Sequence, residues 1–199
     1  LTVTINPEPV VSDQAITVCS DEALNLNFET STSVAATTYN ITNLELNGLT
    51  VSAGNAAVSN DLLVDDLADD AFTNITAAAV NVVYTVVPVT AEGCQGNPFT
   101  VTVTVNPEPV VANQAITVCS DDILNYTITG DTDTPAVANY NLTAIEANGL
   151  TPAASNQAIA DALSSDALEN DVWTNTTPNP VDVIYTLVPV GTNECIGDA

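Results

Sequence analysis

Residues 99–109 read FTVTVTVNPEP, and residues 1–9 read LTVTINPEP. In the first stretch Phe99, Val101, Val103 and Val105 alternate with Thr100, Thr102 and Thr104. That is the two-residue period of a half-buried strand carrying β-branched residues on both faces. Asn106-Pro107-Glu108-Pro109 then ends it, because two prolines one residue apart remove ladder donors and cannot continue a central strand. Asn6-Pro7-Glu8-Pro9 repeats the pattern, so Leu1 to Ile5 is expected to be the closing strand of a preceding unit.

Working outward, residues 3–25 match residues 103–125 at 18 of 23 positions with an offset of 100. This is an internal duplication. Farther along the offset becomes 101, pairing YNITNLELNGL from Tyr39 with YNLTAIEANGL from Tyr140, and YTVVPVTAEGC from Tyr84 with YTLVPVGTNEC from Tyr185. Val82, Tyr84 and Val86 share one strand face, repeated as Val183, Tyr185 and Leu187, and this is the expected core face. Short strands between Asn, Gly, Asp and Pro clusters, at about 100 residues per unit, predict an all-β chain of tandem immunoglobulin-like antiparallel β-sandwiches. The boundaries follow from the prolines: 1–6 as the last strand of a preceding repeat, 7–106 as the first repeat, and 107–199 as a second that lacks its closing strand. Neighbouring repeats of the same chain are therefore the first partners expected.

The chain has 25 Asp and Glu and no Lys, Arg or His, giving a formal net charge of -25. Hydrophobic residues make up 46%, too many for a disordered acidic tail, so a packed core is expected. A surface without cations repels phosphate backbones and anionic headgroups, which excludes nucleic acid and acidic membranes as partners. No apolar run approaches the roughly 20 residues of a membrane-spanning helix, so no membrane insertion is expected. Salt bridges between side chains are impossible, which leaves cysteine as the covalent staple. Cys19 and Cys94 lie 75 residues apart in the first repeat, and Cys119 and Cys195 lie 76 apart at the equivalent places in the second. One bridge per repeat is the expectation, each adding about 4 to 5 kcal/mol by loop closure. Free thiols in a reducing compartment are the alternative.

The motifs VTVNPEPVV and ITVCSD, FTNIT or WTNTT, YTVVPV, and GCQGNPFTVTVTVNP resemble the PKD-like repeats of very large surface proteins of the Bacteroidota. The resemblance spans the whole chain. It implies immunoglobulin-like sandwiches strung in many copies, exported by type IX secretion, in gliding-motility adhesins and related surface filaments. It also implies an extracellular or cell-surface location, and no catalytic residues.

Calcium is the one cofactor the composition suggests, since it takes six to eight oxygen ligands and the stretch from Asp61 to Asp70 is rich in carboxylates. Asp65 and Asp70 recur as Asp166 and Asp171, which makes these four the candidate ligands, although no EF-hand spacing is present. Ser20 and Ser120 have no His or Lys to activate them, so nucleophilic catalysis has no base and no enzyme is expected. The recurring aromatics Phe72 and Trp173, Tyr39 and Tyr140, and Tyr84 and Tyr185 fit core packing better than sugar stacking. The functional expectation is a spacer or stalk of a long secreted adhesin. The alternatives are a calcium- or polysaccharide-binding module, or a spacer beside a secreted depolymerising enzyme.

Overall fold

The computed structural model describes residues 1–29 and 31–199. The chain divides into two compact units, Leu1–Asn74 with Ala78–Pro107, and Glu108–Ala199 with Ile75–Ala77. Both are all-β, with no helix among the described residues, and the fold is an immunoglobulin-like β-sandwich.

The first unit contains β1 (Gln14–Cys19), β2 (Thr38–Glu45), β3 (Thr50–Val51), β4 (Phe72–Thr73), β5 (Val80–Val89) and β6 (Phe99–Asn106). Its main sheet runs β1-β6-β5-β2, and β3 pairs with β4 in a separate ribbon. The alternation read from the sequence sets the burial: Phe99, Val101, Val103 and Val105 of β6 and Val82, Tyr84 and Val86 of β5 all point into the core. Their Thr and Val neighbours stay half-buried on the other face. The ribbon is joined to the sheet by Phe72, whose ring meets Tyr84 edge-on at 6.4 Å. At the other end of the core Phe28 stacks on Tyr39 at 4.3 Å.

Two local signals shape the strands. After β2, Asn47 and Gly48 both take positive φ, 49° and 94°, giving the primed turn that an Asn-Gly pair favours, closed by a Leu49 N–H to Leu46 carbonyl bond. β1 pairs with β6 in parallel, from Gln14 opposite Val101 to Cys19 opposite Asn106. It follows a proline joint rather than a hairpin, so nothing forces it to run antiparallel to its neighbour.

The second unit contains β7 (Val137–Glu146), β8 (Thr151–Pro152), β9 (Ala160–Leu163), β10 (Trp173–Thr174) and β11 (Ile184–Gly191). Its sheet is β11-β7-β9, and β8 pairs with β10. β7 and β11 match β2 and β5, yet residues 114–119, the counterpart of β1, form no strand. The cause is the missing neighbour: β1 is held only by β6, and residues 107–199 contain no copy of β6. Val18 is 6% exposed and its counterpart Val118 is 41% exposed for that reason.

Leu1 to Ile5, expected to be the closing strand of a preceding repeat, likewise lack the sheet that such a strand would join. These residues form no strand, and Leu1, Val3 and Ile5 are exposed. An alternating sequence makes a strand only when another strand accepts its backbone hydrogen bonds.

Candidate functional site

Three constellations recur in both repeats. The first lies where the chain enters each unit. In the first unit β5 ends at Val89 and a tight turn follows, closed by Thr90 N–H to the Cys94 carbonyl at 2.9 Å and Gly96 N–H to the Pro88 carbonyl at 2.9 Å. Gly96 lies directly under the entering chain, where an added Cβ would sit 2.0 Å from the Pro9 carbonyl oxygen. In the second unit Gly191 N–H reaches the Cys195 carbonyl at 2.8 Å, Gly197 N–H reaches the Pro189 carbonyl at 2.9 Å, and a Cβ on Gly197 would lie 2.1 Å from the Pro109 carbonyl oxygen. The Cys-x-Gly pattern is thus a seat for the second proline of the joint, with glycine required by the close approach.

The second constellation lies at the opposite end and is built from the Cys-Ser-Asp and Phe/Trp-Thr-Asn motifs. Asp21 takes φ 59°, a left-handed conformation that Asp tolerates better than most residues. This turns its N–H to the Phe72 carbonyl at 2.9 Å and lets its carboxylate accept from the Thr73 hydroxyl at 2.6 Å. Ser20 Oγ accepts from Asn74 N–H at 2.8 Å, and Asn74 Nδ2 donates to the Val105 carbonyl at 2.8 Å. Asp121 repeats the conformation with φ 68°, Thr174 donates to its carboxylate at 2.5 Å, and Ser120 accepts from Asn175 N–H at 2.9 Å. Ser20 and Ser120 are therefore turn hydroxyls that close one end of each sandwich.

The third is a carboxylate inside the core. Asp70 is fully buried, accepting from Ala56 N–H at 2.7 Å and from the Tyr84 hydroxyl. Burial raises its pKa most, while the two hydrogen bonds pull it down. The Tyr84 phenol is pushed far above its ordinary range by burial and by the carboxylate beside it. Asp171 repeats the arrangement, accepting from Gln157 N–H at 2.7 Å and Tyr185 at 2.7 Å, and Trp173 Nε1 donates to the same Tyr185 oxygen at 2.7 Å.

These positions redistribute the candidate calcium ligands. Asp65 and Asp166 are exposed, whereas Asp70 and Asp171 are buried acceptors of two protein hydrogen bonds each. Asp166 accepts from the Ser164 hydroxyl in its own loop. Among the described residues no group of three or more His, Cys, Asp or Glu side chains converges as a metal site would require. The recurring aromatics Phe72, Trp173, Tyr39 and Tyr140 are buried in their cores.

The within-repeat cysteine pairing is also corrected. Cys94 and Cys119 carry free thiols, so neither the Cys19 to Cys94 nor the Cys119 to Cys195 bridge is closed. The reason is distance. Cys19 lies opposite Asn106, at one end of β6, whereas Cys94 follows β5 beyond Val86, which pairs with Phe99 at the other end. Seven strand steps separate those ends by about 23 Å, and a disulfide needs Cα atoms within about 7 Å.

Compared with known families, residues 16–109 and 116–199 match the PKD-like domain. The chain belongs to the PKD-like domain family. No curated protein matches it. PKD-like domains are typically non-catalytic modules and are commonly extracellular. In this PKD-like pair the three recurring constellations hold turns, sandwich ends and a core carboxylate. No helix among its described residues is long and apolar enough to cross a membrane.

Proposed function

We propose that these PKD-like repeats are the spacer units of a long secreted cell-surface protein, holding a binding region away from its base. The observation that carries this reading is the separation of entry and exit in the first unit. The chain enters against Gly96 at Pro9 and leaves at Asn106 beside Cys19, so the two joints of this unit stand at opposite ends of one sandwich, which favours a spacer role. The proline pairs support it, because each Pro fixes φ and the residue before it is biased to extended backbone. The acidic surface also supports it, since a surface carrying only negative charge resists lateral association of neighbouring chains.

The test is small-angle scattering on arrays of two, four and eight copies. The maximum dimension should rise in proportion to copy number, by a constant increment for each repeat. Dimensions that level off as copies are added would overturn the spacer reading.

A further inference from the structure

Each unit carries one Asn-Gly pair, Asn47-Gly48 after β2 and Asn148-Gly149 after β7, and both pairs are held in the same way. Asn47 and Gly48 take φ of 49° and 94°, and Asn148 and Gly149 take 49° and 88°. A Leu150 N–H to Ala147 carbonyl bond at 2.9 Å closes the second turn as Leu49 closes the first. In each turn the Asn side chain is also tied down. Asn47 Nδ2 donates to the Asn81 carbonyl of β5 at 2.8 Å, and Asn148 Nδ2 donates to the Asp182 carbonyl at 2.9 Å. The facing residue changes from Asn to Asp while the bond stays, because the acceptor is backbone.

The residue pair that this turn demands is chemically fragile. Asn is among the thermally labile residues, and a Gly after it brings no Cβ to obstruct attack of its nitrogen on the Asn carboxamide. Asn47 and Gly48 are both exposed, with open space around the glycine. The geometry of the turn opposes the reaction. A primed turn of this kind sets ψ of its first central residue at about +30°, which leaves the Gly48 nitrogen roughly 150° from Asn47 Cβ about the Cα–C bond. Closing a five-membered ring needs those two atoms nearly eclipsed. The bond to the Asn81 carbonyl holds the carboxamide toward β5 as well.

We propose that Asn47 and Asn148 are spontaneous deamidation sites kept dormant by their own turns, so that the modification records the opening of each sandwich at this corner. In the opened turn the Gly48 nitrogen loses its proton and bonds Asn47 Cγ. The bond from Cγ to Nδ2 breaks, and Nδ2 leaves with that proton as ammonia. Water then opens the succinimide ring at either carbonyl, giving aspartate or isoaspartate. Both products put a carboxylate where the amide donated, with no proton to offer the strand carbonyl, and isoaspartate also adds a methylene to the backbone. The corner cannot re-form its clamp after that step. Asn148-Gly149 follows the same course in the second unit, where the Asp182 carbonyl loses its donor.

The test incubates the full chain at mildly alkaline pH, folded and in urea, and then cuts it with a Glu-directed protease, since there is no Lys or Arg for trypsin. Mass spectrometry of the peptides holding Asn47 and Asn148 gives the two deamidation rates in each state. Both should be slower by about tenfold or more in the folded chain, in proportion to the small fraction of open turn. Equal rates in the folded chain and in urea would overturn the guard, and intact Asn47 and Asn148 after incubation in urea would overturn the sites. A second measurement isolates the clamp. Asn47→Asp copies the lost donor without the reaction, and at high salt, where its added charge is screened, it should still lower the urea midpoint of the first unit. An unchanged midpoint would overturn the role given to the Asn81 contact.

Discussion

Tyr84 donates its hydroxyl to the carboxylate of Asp70 in the middle of the first sandwich, and both side chains are fully buried. The bond ties β5 to the end of an acidic loop that otherwise faces water. Tyr84→Phe removes the donor and leaves Asp70 with only the Ala56 N–H. We expect a loss of about 2 kcal/mol, read as a lower urea midpoint at an unchanged slope. Tyr185→Phe should cost less, because Tyr185 is only half-buried where no copy of β6 covers β11. Equal costs at the two sites would show that burial does not set the strength of this pair.

The same pair predicts a pH dependence. Asp70 has its pKa raised above the ordinary 3.8, chiefly by burial, so the folded chain holds this proton more tightly than the unfolded chain. Its contribution is present in full below the unfolded value and is lost as pH rises through the folded one. Stability should therefore increase as pH is lowered from neutrality toward that window, and Asp70→Asn should flatten the profile. At the other extreme Tyr84 and Tyr185 are raised above 10.0, so stability falls once the medium passes the ordinary tyrosine range. Thermal melts across pH decide both limbs. A melting temperature that drops steadily on mild acidification would contradict the first.

The turn of Cys19-Ser20-Asp21 makes a separate prediction. Asp21→Ala deletes the acceptor for Thr73 and places a residue with a Cβ and no polar group at φ 59°. The expected loss is about 1 to 3 kcal/mol. Asp21→Asn keeps both the acceptor and a tolerated left-handed conformation, and should recover most of it. Chemical denaturation of the two variants side by side measures the difference.

Glycine at the seat of the joint can be tested in the same way. Gly96→Ala drives a methyl into the Pro9 carbonyl, which is backbone and cannot rotate aside. We expect about 1 to 3 kcal/mol of destabilisation and faster hydrogen exchange at Thr90 and Gly96. Gly48→Ala meets nothing within 4 Å and incurs only the strain of its φ. Similar losses at both positions would remove the steric argument.

Divalent ions provide the test for the acidic loop. With Asp70 and Asp171 engaged in the core and Asp65 and Asp166 exposed, calcium and magnesium at equal ionic strength should raise the melting temperature alike, by screening. Saturable stabilisation by calcium at far lower concentration would restore a specific site.

The sequence made the strands and their faces readable because Val and Thr alternate with a period of two, and Val82, Tyr84 and Val86 turned inward as that period requires. The polar interior was not readable. Asp70 stands in a run of carboxylates that looks like a solvated loop, and its partner is 14 residues away. The available signal was the recurrence of both partners, Asp171 and Tyr185, while Asp66 and Asp69 gave way to Ala167 and Asn170. The cysteine pairing failed for another reason. Equal spacing within repeats establishes equivalence, yet it does not say at which end of a sandwich each residue lies, and that depends on the length and direction of β5 and β6.

The parallel pairing of β1 with β6 has a mechanical consequence. Tension on the first unit pulls β1 from its Gln14 side, toward the entering prolines, and pulls β6 from its Asn106 side. The two strands are thereby dragged past each other along their length, and the bonds over all six register pairs from Gln14 to Cys19 must give way together. A hairpin pulled open from one end would instead release its bonds one at a time. A sandwich loaded in this way yields at high force with little prior stretch.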